Sequence, residues 1–205
     1  LVTSPPPVRL PLRRLLPAVL AGVLLSAVAW AGDPAAPAPP PSEAARLASI
    51  RSLGKQIRKA ARGPWAVQKK PEIVAMLDAL VVLGGPASGA AALEAVVLAD
   101  PEVRDKAFGH AEAVHAPALV APLALLLEDK DRRDDVDLRR RVARSLSVMA
   151  DPSAMGPLTG LIRTDEAPEV VAVAADSLAT HSSAPLPPRK EAVRRLVDLY
   201  ESTWN

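Results

Sequence analysis

The feature that most constrains the fold is a repeat of roughly 30 to 35 residues that begins near residue 71. The sequence Pro-Glu followed by Ile or Val occurs at 71–73, 101–103 and 168–170, and Glu-Val-Arg at 102–104 returns at 137–139 as Asp-Leu-Arg. A second series runs beside the first, since two prolines and two leucines recur 35 residues later: Pro117, Pro122, Leu123 and Leu126 become Pro152, Pro157, Leu158 and Leu161. Two interleaved series with one period indicate a two-helix unit that occurs four times.

Each unit is predicted to contain an A helix, a short turn and a B helix. In the third A helix Leu138, Val142, Leu146 and Met149 recur at helical spacing. The four units are 71–99, 101–133, 135–166 and 168–201, with A helices from Pro71, Pro101, Val136 and Pro168 and B helices at 87–99, 117–128, 152–163 and 187–202.

The stretch Ala-Asp-Pro-Glu-Val-Arg at 99–104 supplies the signals that start one A helix. Asp100 is predicted to be the N-cap, Pro101 suits the first turn, and Glu102 favours the positive end of the helix dipole. Asp151 precedes a proline in the same way. Acids and bases exchange freely at the equivalent positions of the other units, which a catalytic site would not tolerate.

The composition agrees with an all-α fold. Apolar residues make up 49% of the 205-residue chain but aromatic residues only 2%, so the core consists of Ala, Val and Leu. Small side chains of this kind suit close helix-on-helix packing. The chain has no cysteine, which excludes disulfides, thiolate metal sites and cysteine nucleophiles.

The repeat resembles the HEAT-repeat family, in particular the short bacterial HEAT-like repeats grouped with phycobilisome-lyase repeats. The segments that carry the resemblance are 100–104, 136–146, 150–162 and 167–178. The resemblance implies a right-handed α-solenoid of about four helix pairs that presents a surface to another macromolecule. It also implies that Arg104 and Arg139 contact an acid of a neighbouring repeat, while Val171 in the same position suggests that the fourth repeat is a capping unit.

The N-terminal residues 1–31 are predicted to be a signal peptide. Arginines precede an apolar run from Leu15 to Ala29, and the small residues Ala29 and Ala31 fit a signal-peptidase site. Cleavage after Ala31 is preferred and cleavage after Ala29 is the alternative, while an uncleaved N-terminal anchor is a further alternative. The protein is therefore expected to be exported from a bacterium, to the periplasm or the medium. A Pro/Ala-rich linker follows at 32–41.

The charge is divided between two parts of the chain. Residues 42–70 contain eight bases and one acid, net +7, whereas residues 71–205 contain 14 bases and 21 acids, net −7. Residues 42–62 are predicted to form a helix that Ser42 caps and Gly63-Pro64 ends. Its apolar stripe either covers the open end of the repeat domain 71–201 or lies on an anionic membrane or envelope polymer.

No catalytic, cofactor-binding or metal-binding residue is predicted. His110 and His115 point apart on a helix and His181 stands alone, so each is expected to be a partly exposed histidine. The acidic run 128–137 lacks the glycine and glutamate of a calcium loop and reads as a solvated turn. The basic strip Arg139, Arg140, Arg141 and Arg144 lies among acids and lacks aromatic neighbours, which argues against nucleic-acid binding.

The B-helix segments 117–127 and 152–162 contain no charged residue, so the side of each that faces away from the core presents apolar surface. That surface is either packing between repeats or a shallow groove for a peptide, a helix or a second copy. The sequence predicts a non-enzymatic scaffold for protein–protein interaction in the bacterial cell envelope, with an unidentified protein partner and no small-molecule substrate or cofactor. Membrane-surface binding through 42–62 is the alternative, and a lyase-like accessory activity rests on family analogy alone.

Overall fold

The computed structural model describes residues 41–129, 133–181 and 186–204, and within these ranges all regular secondary structure is helical. The predicted signal peptide 1–31 and almost all of the linker 32–41 lie outside the described residues. Residues Pro41–Asn205 form one compact unit. Its α-helices are α1 Glu43–Arg62, α2 Lys70–Leu83, α3 Gly85–Leu93, α4 Pro101–Val114, α5 Val120–Glu128, α6 Val136–Met149, α7 Met155–Thr164, α8 Pro168–Thr180 and α9 Leu186–Trp204.

The A helices α2, α4, α6 and α8 begin where the repeat predicts. The Asp100 side chain accepts a hydrogen bond from the Val103 N–H at 3.1 Å, which confirms the predicted N-cap. Two A helices end on a non-glycine residue in the left-handed conformation, His115 with φ 47° after α4 and Ala150 with φ 49° after α6. This conformation turns the chain sharply toward the following B helix.

The B helices differ from the prediction at their ends. In the first unit the α-helix stops at Leu93, and a 3₁₀ turn over Glu94–Val97 replaces its predicted continuation to residue 99. That tighter turn places Ala95 and Val96 together in the core. In the second and third units a 3₁₀ turn, Pro117–Leu119 or Pro152–Ala154, precedes the α-helix.

Most contacts between helices join consecutive units of the repeat. Along the A series α2 contacts α4, α4 contacts α6, and α6 contacts α8. Each B helix packs against the A helix of the next unit, as α3 does on α4, α5 on α6 and α7 on α8. Among the described residues the core consists mainly of Ala, Val, Leu and Ile side chains, and its largest fully buried side chain is Phe108 of α4.

The predicted helix over 42–62 is confirmed as α1, which packs on α2, α3 and the first 3₁₀ turn. Its apolar stripe faces the core, where Ile50 and Ile57 are buried. Gly54 allows a close approach to α3, because a Cβ at this position would lie 3.2 Å from the Ala91 Cβ. The folded chain therefore covers the apolar side of α1 with its own repeats.

Candidate functional site

Two of the three histidines are buried, so the expectation that all three are partly exposed is wrong. His110 on α4 is 7% exposed, and His181, the residue that follows α8, is 6% exposed. His115 is exposed at the end of α4. No group of three or more metal-ligating side chains occurs among the described residues.

His110 forms a buried hydrogen bond to Ser88 that links α3 to α4. The Ser88 Oγ lies 3.0 Å from His110 Nε2 and donates its own hydrogen to the Gly85 carbonyl at 2.8 Å. The imidazole is therefore the donor to Ser88 through Nε2–H. Burial lowers the pKa of His110, which favours the neutral ring. Ser88 is fully buried and its hydrogen is engaged, so the pair is built as a structural contact rather than as a nucleophile and base.

A series of ion pairs joins each A helix to the start of the next. Arg104 of α4 binds the Asp135 carboxylate, with Nη2 2.5 Å from Oδ2. Arg139 of α6 binds Asp165 through two hydrogen bonds of 2.7 and 3.1 Å. Both acids also accept backbone N–H groups at or next to a helix start, Asp135 from Leu138 at 2.9 Å and Asp165 from Ala167 at 3.0 Å. The inter-repeat contacts that the resemblance implies for Arg104 and Arg139 are thus present.

Val171 holds the matching position in α8 and is fully buried. Its apolar side chain packs in the core, whereas Arg104 and Arg139 at the matching positions of α4 and α6 reach a carboxylate ahead of the next A helix.

Two acids of the run before α6 make structural contacts at the start of that helix. Asp135 caps α6, and Asp137 pairs with Arg140 at 3.0 Å. Its residues 130–132 lie outside the described part of the chain. The carboxylates of Asp135 and Asp137 are thus engaged with a helix start and with arginines.

A groove between α4 and α6 is the candidate functional site. It is an open groove with a volume of about 440 Å³, and two successive repeats contribute its walls. The residues that line it are Ala99, Pro101, Arg104, Asp105 and Phe108 from the second unit and its approach, and Asp137, Leu138, Arg140, Arg141 and Arg144 from the third.

Some of the side chains that line the groove are held by contacts within the fold, and two of its charged side chains are unpaired among the described residues. The Arg141 guanidinium lies over the Phe108 ring, 5.5 Å from its centroid, and binds Glu112 at 3.1 Å. Ser145 donates to the same carboxylate at 2.6 Å, which holds Glu112 from two sides. By contrast, Arg144 on the α6 wall and Asp105 on the α4 wall are exposed and pair with no described side chain. The groove therefore presents opposite charges on opposite walls.

The sequence alone did not point to Phe108, which lines this groove, or to Glu112, which holds the Arg141 guanidinium in place. The sequence does contain one clue: Arg141 and Ser145 are four residues apart, so they share one helix face and can reach one acid. It does not give the register of α6 on α4, which decides that this acid is Glu112. The predicted basic strip is divided by the structure. Arg139 and Arg141 form structural ion pairs, Arg140 pairs with Asp137 at the surface, and Arg144 is free among the described residues.

The apolar B-helix surface is used largely for packing between repeats. Leu123 in α5 and Leu158 in α7 are fully buried. Leu125 stays 62% exposed, and the exposed side of α7 carries glycine at 156, where an added Cβ would meet nothing within 4 Å. This surface is consequently shallow and offers few apolar contacts.

Comparison of the chain with protein-family models, with curated proteins and with solved structures gives no match. Among the described helices none is both long enough and apolar enough to cross a bilayer.

Proposed function

We propose that the protein is an exported, non-enzymatic α-solenoid of HEAT-like helix pairs that binds a protein partner in the bacterial cell envelope. The observation that carries the proposal is the groove between α4 and α6, which two successive repeats line and to which Arg144 and Asp105 contribute exposed charges that pair with no described side chain. A repeat scaffold typically binds its partners along surfaces built from neighbouring units.

The contact pattern supports the solenoid. The A helices contact in series, and each B helix packs on the next A helix, so each unit depends chiefly on its neighbours. The ion pairs of Arg104 and Arg139 repeat the same contact between consecutive units. A solenoid of this kind is stabilised by unit-to-unit interfaces, which hold the groove walls at a constant spacing.

The partner proposed for the groove is a polypeptide segment with both charge signs. An acidic side chain would meet Arg144 and a basic one would meet Asp105, so charge fixes the direction in which the segment lies. The polar walls argue against a purely apolar ligand. Rigid support from the Arg141–Glu112–Ser145 contacts lowers the cost of ordering the site on binding.

The proposal is tested by affinity capture from bacterial envelope extract with matched charge variants, followed by mass spectrometry. Wild-type protein and a Lys190→Glu control should capture the same partner, because Lys190 is exposed on α9, away from the groove. Arg144→Glu should lose that partner. Equal capture by Arg144→Glu and the wild type would exclude the groove as the binding site.

Export to the periplasm or the medium is part of this proposal and is tested separately. A C-terminal fusion to alkaline phosphatase, which is active only outside the cytoplasm, should be active in cells. Deletion of residues 1–31 should abolish that activity. Full phosphatase activity without these residues would refute the signal peptide.

A further inference from the structure

The turn between α1 and α2 holds two apolar side chains outward. Trp65 is 62% exposed and Val67 is 74% exposed, while Ala66 between them is buried. Backbone hydrogen bonds fix this arrangement, since Ala66 N–H donates to the Gly63 carbonyl and Lys69 N–H donates to the Trp65 carbonyl, each at 3.1 Å. The exposure of these side chains follows from an ordered backbone.

Four bases follow one line along α1 and end next to this turn. Arg51, Lys55, Lys59 and Arg62, here named the basic stripe, fall within about 80° of one another around the helix axis at 100° per residue. All four are exposed, and no described carboxylate lies within ion-pair distance of them. They cover about 16 Å of helix length at 1.5 Å per residue.

Two other bases of this region, Arg58 and Lys70, are already engaged with the repeats. Arg58 binds Glu94, with Nε 2.8 Å from Oε2, and Lys70 binds Asp100 and Glu102 at 2.9 and 2.8 Å. The fold thus uses the cations that face the repeats and leaves the basic stripe without a partner among the described residues. A row of unpaired cations beside an exposed tryptophan needs a ligand that is both anionic and partly apolar.

We propose that the basic stripe and the Trp65–Val67 turn dock the protein on an anionic lipid bilayer. The stripe would lie against the lipid phosphates, while Trp65 and Val67 enter the interface between head groups and acyl chains, where tryptophan is favoured. Residues 71–205 carry a net charge of −7, from 14 bases and 21 acids, so the same membrane repels the repeats and orients them outward.

The mode differs from that of an amphipathic helix lying on a membrane. Such a helix inserts its apolar side, but here Ile50 and Ile57 are covered by the repeats. The apolar contribution comes instead from the turn. Nucleic acid and an acidic protein would also attract the basic stripe, and their binding is an outcome of the test below.

The test uses the full chain, which has no cysteine of its own, with an environment-sensitive fluorophore attached at Val67→Cys. Vesicles of phosphatidylcholine containing phosphatidylglycerol should shift the emission to the blue, and vesicles of phosphatidylcholine alone should not. The control label at Ala172→Cys, exposed on α8, should not respond to either vesicle. Because residues 1–40 are present in both labelled proteins, only contact at the turn separates them.

Charge reversal tests the basic stripe. Arg51→Glu combined with Lys55→Glu should reduce binding to the anionic vesicles by at least about tenfold, since each base near such a surface contributes on the order of 1 kcal/mol. Lys190→Glu with Arg194→Glu reverses the same charge on α9 and should leave the blue shift at residue 67 in place. Circular dichroism establishes that both variants are folded.

Three results would overturn the proposal. The label at residue 67 could fail to respond to anionic vesicles, the Arg51/Lys55 reversal could leave vesicle binding unchanged, or the protein could bind RNA or acidic polypeptide through the basic stripe while ignoring the vesicles. Each result is independent of the groove between α4 and α6, so failure here leaves the proposed protein-binding function to its own test.

Discussion

Replacement of Arg139 by alanine tests the inter-repeat ion pairs most sharply. The Asp165 side chain is 4% exposed and that of Arg139 is 13% exposed, and the guanidinium donates two hydrogen bonds to the carboxylate, at 2.7 and 3.1 Å. Without Arg139 a buried carboxylate would keep only the Ala167 N–H. Removing one partner of a buried pair costs about 3–5 kcal/mol, and we expect the low end because water can enter the vacated space.

Urea unfolding followed by far-ultraviolet circular dichroism measures this loss. The matched control is Arg163→Ala, because Arg163 also binds a carboxylate twice, Glu191 at 2.8 and 2.9 Å, but with side chains 58% and 37% exposed. An exposed pair of this kind contributes only about 0.2–1 kcal/mol. Asp165→Asn in the Arg139→Ala background should restore part of the loss by removing the unpaired charge. Equal losses for the two arginine variants, with no restoration by Asp165→Asn, would refute the reasoning.

Three further changes have defined outcomes. Ala150→Gly should raise the free energy of unfolding by about 0.5–1 kcal/mol in urea, because Ala150 adopts φ 49°, a conformation that glycine accepts without strain. Gly89→Val should lower the free energy of unfolding by about 1–3 kcal/mol, since even a Cβ at this position would lie 3.1 Å from Leu119 Cδ1. The pKa of His110 is lowered by burial, so the unfolded chain binds a proton that the folded chain does not, and stability should fall as the pH drops below about 6.5. In His110→Gln the free energy of unfolding, measured in urea at neutral and at mildly acidic pH, should change less with pH than in the wild type.

The controls for these changes use exposed positions of the same fold. Ala172→Gly on the exposed side of α8 should destabilise by up to about 1 kcal/mol, opposite in sign to Ala150→Gly. Gly109→Ala should not destabilise, because a Cβ there meets nothing within 4 Å. Destabilisation by Ala150→Gly, tolerance of Gly89→Val, or an unchanged pH dependence in His110→Gln would contradict the corresponding argument.

The starts of the A helices could be predicted because their signals are local. Asp100 and Pro101 act within one turn of the helix that they begin, so a sequence pattern is enough to locate it. The buried side of α1 was predictable for a related reason, since the spacing of its apolar residues records which side faces the core. The early end of α3 was not predictable, because the 3₁₀ turn depends on how Ala95 and Val96 fit against the neighbouring helices.

The site could not be predicted because it depends on contacts between units. The Arg141–Glu112 pair needs the register of α6 on α4, and the burial of His110 needs the position of Ser88 on α3. The exposure of Trp65 was equally hidden, since a sequence gives no reason to place a tryptophan outside a core that lacks large side chains. The ion pair, the buried histidine and the exposed tryptophan all depend on how separate helices pack, which local sequence patterns do not record.

The central claim is that the helix pairs form an open stack, and spin-label distances test it most directly. Single and paired cysteines at 75, 105, 140 and 172 place labels at matching exposed positions of α2, α4, α6 and α8. Adjacent helices packed 8–10 Å apart predict that the distance between labels rises at each step, with 75 to 172 the longest at roughly 25–30 Å before the length of the labels is added. A distance between 75 and 172 as short as that between 75 and 105 would mean a closed helix bundle and would contradict the solenoid.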